Sequence, residues 1–344
     1  MNANSNTGDS NVSKSKMDDS KVYRLWKKFW GQYSIIVVFV GVIIMASLIL
    51  GDTFFDGQNF LNILRNNAIL GILSLGMAFV IVSGNIDLSI GSSLVAVGAL
   101  TIMITNTFGA MFPPELSWLA IVISIVAALI FGGTFGALSG VIITKGRVPS
   151  FIVTLGFMSI YRSVSMYFMK GGGFFSNVPA FKQISNSDLF GIPLPIIYFA
   201  IIAVICYYIS KHTKFGRYVY AVGSNEKATR LSGINTDRVK ILTFILMGIM
   251  VALAVVVETS RMNSINATSS GQGYELNAIA AVVIGGVSMN GGKGSIVGVI
   301  FGVLLLGIIS NILNIAGVDV FLVNAIKGTL VILAVLLQKK EAVR

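Results

Sequence analysis

Ten stretches of this chain run for fourteen or more residues with almost no charge: Tyr33–Leu50, Ala68–Ser83, Ser92–Met111, Trp118–Ile143, Phe151–Met169, Pro193–Ser210, Ile241–Val257, Leu276–Met289, Ile296–Val318 and Val320–Leu337. About 20 apolar residues in a helix cross the hydrocarbon of a bilayer. Backbone polar groups must be satisfied internally there, which leaves helices or closed barrels. Runs of this length exclude barrel strands, so the expected fold is all-α and polytopic, with about ten transmembrane helices. Two runs, Ala68–Ser83 and the glycine-interrupted Leu276–Met289, are short and are expected as broken or re-entrant pieces. Composition agrees: 55% of the 344 residues are hydrophobic, 11% are charged, and mean hydropathy is +0.84. A soluble domain carries about a quarter charged residues. A soluble enzyme, a secreted disulfide scaffold and a nucleic-acid-binding domain are therefore excluded as first readings.

The net charge of +11 orients the helices. With residues 1–32 in the cytoplasm and ten crossings, 19 of the 25 basic residues face the cytoplasm, among them Lys145, Arg147, seven between Lys211 and Lys240, Lys293 and Lys340. The positive-inside bias gives an N-in, C-in topology. Residues 1–32 then form a polar, mostly disordered cytoplasmic tail, 33–338 the transmembrane domain with a cytoplasmic loop at 211–240, and 339–344 a second cytoplasmic tail. The first apolar run is too long for a signal-peptide core and reads as an uncleaved anchor.

Catalytic chemistry finds little support. Cys206 and His212 are the sole Cys and His, which excludes an internal disulfide and any Cys/His metal site. Gly291-Gly292-Lys293-Gly294-Ser295 resembles a phosphate loop but has the wrong spacing from Gly286, and Gly rather than Ser or Thr follows the lysine. No catalytic residue and no cofactor are expected on this chain.

Polar groups at membrane depth are expensive, so the few present are informative. Asp87 lies in Gly84-Asn85-Ile86-Asp87-Leu88-Ser89-Ile90-Gly91-Ser92, where it serves as a polar bend on a substrate pathway, as the cap of a helix starting at or just before Ser92, or both. Arg162 either pairs with an acid on a neighbouring helix or snorkels outward with Lys170. Glu258 and Arg261 are spaced for a local ion pair. Lys327 has no evident partner. A weak internal repeat relates Asn67-Ala68-Ile69, Gly76, Gly84 and Ser89-Ile90 to Asn277-Ala278-Ile279, Gly286, Gly294 and Ser295-Ile296. Paired, glycine-broken short segments in two halves are characteristic of transporters.

The loop Lys211–Lys240 is longer than a plain connector requires. It encodes a short capped helix over roughly Asn225–Ser232, with Ser224 or Asn225 as N-cap, Glu226 in the first turn, Arg230 in the last and Gly233 as the C′ glycine. Asn235-Thr236-Asp237 then caps the next membrane helix. Such a knob suits docking of a soluble partner.

At this loop the sequence becomes recognisable. Phe215–Asn235 closely resembles the coupling loop of ribose-type sugar permeases, the membrane subunits of binding-protein-dependent ABC importers for ribose, galactose, xylose and related sugars. Ile86–Ser92 is similar to that family's Gly-Ile-Asp-Leu-Ser-Val-Gly-Ser, Gly273–Gly286 to its Gly-Tyr-Glu-Leu-Asp-Ala-Ile-Ala-Ala-Val-Val-Ile-Gly-Gly, and Lys327-Gly328 with the following apolar run to its last span. Asn85, Ser224, Asn277 and the outer stretch Asn263–Gly271 depart from the family pattern. The resemblance implies a bacterial inner-membrane permease for a monosaccharide, ribose favoured, paired with a second copy or a homologue. Its other partners would be a cytoplasmic ABC ATPase and an extracytoplasmic sugar-binding protein, with no nucleic acid. It assigns ATPase coupling to Gly223, Asn225, Glu226, Ala228, Arg230, Leu231 and Gly233. It places Asn85, Asp87, Ser89, Arg162, Tyr274, Glu275 and Asn277 on or behind the pathway. The alternative is an ion-coupled secondary transporter of a small polar solute, which should carry coupling acids in both halves; Asp87 is the one good candidate.

Overall fold

A computed structural model describes residues 56–342, with scattered positions between 39 and 54. The N-terminal tail and half of Tyr33–Leu50 lie outside the described residues. In chain order the main helices are α1 (Gly57–Val82), α2 (Ile90–Met111), α3 (Ser117–Lys145), α4 (Ser150–Phe168), α5 (Leu194–His212), α6 (Lys214–Ser224), α7 (Glu226–Leu231), α8 (Thr236–Met262), α9 (Tyr274–Ile284), α10 (Ile296–Ile315) and α11 (Val320–Ala342). Seven of the described helices are long and apolar enough to cross a membrane: α1 to α5, α8 and α10. Helix α9 is too short to do so, as the glycine-interrupted run suggested. The other short run belongs to an unbroken helix of 26 residues. Its first turns carry Asn59, Arg65, Asn66 and Asn67, which a search for apolar runs discards although they continue the helix.

Helices α1 and α8 are the buried axis of the bundle, and α3, α4 and α5 lie at its periphery. On α3, Trp118, Val122, Val126 and Ile130 are exposed at every fourth position, the stripe expected of a face that meets lipid acyl chains. Its opposite face carries Gly132, Gly136 and Gly140, which press against Phe244, Gly248 and Ile241 of α8. Apolar transfer gives no driving force between helices in lipid, so close backbone approach through small residues holds such a pair.

Two helix breaks are built alike. Helix α1 ends with Gly84 at φ +81°, where Gly84 N–H donates to Ile81 O (2.9 Å) and Asn85 N–H to Val80 O (3.1 Å). Helix α9 ends with Gly286 at φ +83°, with Gly286 N–H to Val283 O (2.9 Å) and Val287 N–H to Val282 O (3.2 Å). Both are Schellman closures, in which a left-handed glycine satisfies the last carbonyls. Both loops then enter helices whose N-caps are Ser89 and Ser295. The Ser-Ile pairs seen in the sequence therefore do mark equivalent helix starts. The glycine register differs from the expected one: Gly84 corresponds to Gly286, not to Gly294, because the second loop is the longer.

Candidate functional site

The loop between α5 and α8 folds into two helices, not one. Thr213 caps α6 by accepting from Gly216 N–H (3.1 Å). Asn225, not Ser224, caps α7 and accepts from Ala228 N–H (3.0 Å). Helix α7 closes on Gly233 at φ +82° through Gly233 N–H to Arg230 O (3.0 Å) and Ile234 N–H to Thr229 O (3.4 Å). Asn235 then caps α8 through Arg238 N–H (3.0 Å). The helix α6 was not anticipated; its signal was a strongly amphipathic run, with Gly216, Val219 and Val222 buried on one side.

At the C-terminal end of α6 three backbone segments meet. Gly292 N–H, in the second loop, donates to Val82 O at the end of α1 (2.9 Å). Gly223 lies against both: a Cβ there would collide with Val82 O and stand 2.7 Å from Gly292 N. A Cβ on Gly291 would in turn stand 2.9 Å from Gly223 O and 3.1 Å from the Gly84 backbone. Tyr220 adds a further tie, its hydroxyl donating to Gly294 O (3.1 Å). Helix α6 thus touches both helix breaks at once, with no side chain between them.

Around α7 the contacts are ionic. Glu226 accepts from Lys240 Nζ of α8 (2.7 Å) and from Arg230 (3.2 Å). Arg230 also reaches Asp237 Oδ1 (3.0 Å) and Thr236 Oγ1 (2.7 Å), and Lys145 at the end of α3 lies 3.8 Å from Asp237. Burial alone would raise the Glu226 carboxyl, but the hydrogen bond and charge of Lys240, then the charge of Arg230 and the Thr236 hydroxyl, hold it below its usual range. Leu231, 89% exposed, stands clear of this network as a bare apolar tip.

The expected pathway residues gather at the start of α2. Asn85 donates to Ser83 Oγ (3.0 Å). Asp87, 4% exposed, accepts from Ser89 N–H (2.9 Å) and Ser89 Oγ (2.6 Å). The helix begins at Ile90 with Ser89 as N-cap, so Asp87 closes the turn before the helix rather than capping it. The stretch Asn263–Gly271, expected to be an outer loop, folds inward. Its strand Ser264–Asn266 pairs antiparallel with Gly173–Phe175, Ile265 and Ala267 are buried, and the Gly271 carbonyl abuts Gly91 with Glu275 beside it. Arg162 fixes this fold-back by donating to Ala267 O and Ser270 O (both 2.9 Å). The hydrogen bonds of Arg162 go to two carbonyls, and the charge of Glu275, on the neighbouring α9, acts on it as well. Asn277 stands in the first turn of α9, its N–H on Gly273 O (3.0 Å), and Tyr274 leads that helix. The expected Glu258–Arg261 ion pair is not formed: Arg261 donates to Asn66 Oδ1 instead, and Glu258 interacts with the Tyr274 hydroxyl. Lys327 is half-buried on α11.

Seven apolar helices, two matched helix breaks and a capped projection touching both define a multi-pass membrane protein with an internal linkage between its loop helices and its bundle. Comparison with known proteins gives the class a family. The chain belongs to the family described as "Branched-chain amino acid transport system / permease component", whose model matches residues 59–336. It is a permease component and not an enzyme. Among curated proteins it is 39% identical to the ribose import permease protein RbsC of Escherichia coli (strain K12) over 324 residues, 92% of this chain and 97% of that protein. It is also 39% identical to RbsC of Bacillus subtilis (strain 168) over 308 residues, 89% of this chain and 91% of that protein. The xylose transport system permease protein XylH of Escherichia coli (strain K12) is 28% identical over 364 residues, with 88% and 90% covered. No solved structure matches the chain.

Proposed function

We propose that this chain is the membrane-spanning subunit of an ATP-driven ABC importer in a bacterial inner membrane. It passes a monosaccharide, with ribose favoured by its similarity to ribose import permeases. An extracytoplasmic binding protein delivers the sugar, a separate ATPase docks on α6 and α7, and a second copy or a homologue completes the channel. The observation that carries this reading is the Gly223 contact. A partner that moves α6 displaces Val82 and Gly292 together, because rigid backbone lies against rigid backbone. The two helix breaks flanking α2 and α10 would then shift as one unit. Leu231, bare at the tip of α7, and the ion pairs that brace α7 on α8 fit a surface that seats in a groove of the ATPase. The ten-helix count and the N-in, C-in topology belong to the same proposal, since they put α6 and α7 in the cytoplasm.

Proteoliposomes holding the permease, its ATPase and its binding protein should concentrate ribose only when ATP is supplied. Concentration of sugar by the permease alone on a proton or sodium gradient would replace this reading with a secondary transporter. Topology is tested separately. In a Cys206→Ser background, a cysteine at position 227 should resist an impermeant reagent applied outside intact cells.

A further inference from the structure

Beside the start of α2 lies a small cavity whose polar lining is three hydroxyls and one carboxyl. Asp87, with Ser89 and Ser93 of α2, Gly136 and Ser139 of α3 and Gly248 of α8, borders a space of about 10 Å³, room for about one water molecule. The hydroxyl hydrogens are all committed elsewhere. Ser89 Oγ donates to Asp87 Oδ1 (2.6 Å), Ser93 Oγ to Ile90 O (3.1 Å) and Ser139 Oγ to Phe135 O (3.2 Å). The three hydroxyls therefore offer the cavity lone pairs only. Asp87 spends Oδ1 on the N–H and hydroxyl of Ser89, and among the described residues its Oδ2 accepts no hydrogen bond. The polar lining is thus a set of acceptors that lacks a donor.

Charge points the same way. Asp87 is 4% exposed and joins no ion pair among the described residues. No lining residue of α3 or α8 is ionisable. From α4, Tyr161 interacts with Asp87 through space, and a neutral phenol brings no positive charge. Glu275 of α9 stands beside Gly91, where a second acid opposes a negative Asp87. Arg162 is turned to the Ala267 and Ser270 carbonyls and acts on Glu275. The start of α2 and the two bonds from Ser89 favour an ionised carboxyl, but burial outweighs the bonds and raises the Asp87 carboxyl above its usual range. A buried acid without a cation neutralises itself by keeping its proton.

We propose that Asp87 is a proton-holding site, its Oδ2 carrying a hydrogen at neutral pH and donating it across the cavity to the Ser93 or Ser139 hydroxyl, directly or through one water. One donor then meets the acceptors, and no charge is left between α1 and α2. Parting of α2 from α3 and α8 would admit water and favour loss of the proton, so the proton marks the closed packing.

The test is infrared spectroscopy of the full-length permease in proteoliposomes at neutral pH, taken as the parent spectrum minus that of Asp87→Asn. The difference should hold the carbonyl stretch of a protonated carboxylic acid, moved to lower frequency in heavy water, and this band should vanish as the pH is raised. Glu258 and Glu275 are common to both proteins and cancel. Should Asp87→Asn fail to reach the membrane, the parent grown on carboxyl-labelled aspartate answers the same question. Its acid band should shift, because solvent-exposed aspartates are ionised at neutral pH and contribute none. A difference spectrum holding only a carboxylate stretch, or an acid band untouched by the label, would overturn the site. A carboxylate stretch that moves when sodium replaces potassium would overturn it in favour of a bound cation.

Discussion

The two places where loop segments press on helix ends are held by different means. At the Gly223 contact the centre is backbone against backbone, and the charged groups around it, Glu226, Arg230, Lys240 and Asp237, lie partly in solvent. At the start of α2 the centre is again backbone, Gly271 on Gly91, but the polar ties that secure it are half-buried at Arg162, on two carbonyls, and buried at Asp87, on Ser89. Exposed ion pairs contribute about 0–1 kcal/mol and are screened by salt. A buried group stripped of its partner costs about 1–3 kcal/mol. The first region is therefore fixed by shape and only trimmed by charge, while the second depends on each hydrogen bond. That difference suits a part that must move with a partner beside a part that must keep its geometry.

Gly223 offers the sharpest way to break this contrast. Gly223→Val should force α6 away from Val82 and Gly292, at the few kcal/mol that overpacking costs, about 1–3. ATP-driven uptake should fall more than tenfold at normal membrane level, read in proteoliposomes. Retained uptake would mean that the three-segment contact transmits nothing. Next in size, Arg162→Ala leaves the Ala267 and Ser270 carbonyls without their donor, at about 1–3 kcal/mol for each group. Thermal unfolding in detergent should shift down by several degrees, and Arg162→Lys should recover part of the loss. An unchanged melting temperature would show that the fold-back is held by its strand pairing alone.

Asp87→Ala should cost about 1 kcal/mol, the usual worth of such a turn-closing side chain, and Asp87→Asn less, since its amide oxygen still accepts from Ser89. Equal loss of uptake in both would show that the charge itself is needed, which the ion-coupled alternative requires. The smallest effect belongs to Glu226. Its carboxyl is held below the usual range in the folded protein, so its contribution is present above the ordinary carboxylate pKa and disappears as pH falls through the depressed value. ATPase retention by the parent permease should weaken on acidification below about pH 4, the ordinary carboxylate range. Glu226→Gln should retain less ATPase at neutral pH and respond less to acid. Identical profiles would remove the ionic network from any part in docking.

Some of this was legible in the residues alone. Long uncharged runs force helices because a bilayer offers the backbone no other partner, and Asn225, Arg230 and Gly233 mark a helix whose ends obey local rules. Cap chemistry acts over three or four residues, which is why α7 and the start of α8 could be placed so closely. The same reasoning lost the first turns of α1, because Arg65, Asn66 and Asn67 look like loop to a rule that counts only apolar residues. Charge suggests an acid for Arg162, or an outward reach with Lys170, and Glu258 for Arg261. Their hydrogen bonds go to the carbonyls of Ala267 and Ser270 and the amide of Asn66, groups that every sequence contains and none advertises.

The amino-acid order by itself determined that the chain crosses a membrane as helices and which loop carries a capped knob, since each follows from hydration and hydrogen bonding over a few neighbouring residues. Only the tertiary structure decided that Gly223 touches Val82 and Gly292, that Asn263–Gly271 turns inward onto Gly91, and that Arg162 ties that stretch down through the carbonyls of Ala267 and Ser270. Those contacts join residues from distant parts of the chain, and a glycine whose importance lies in the side chain it lacks gives no sign of what will press against it.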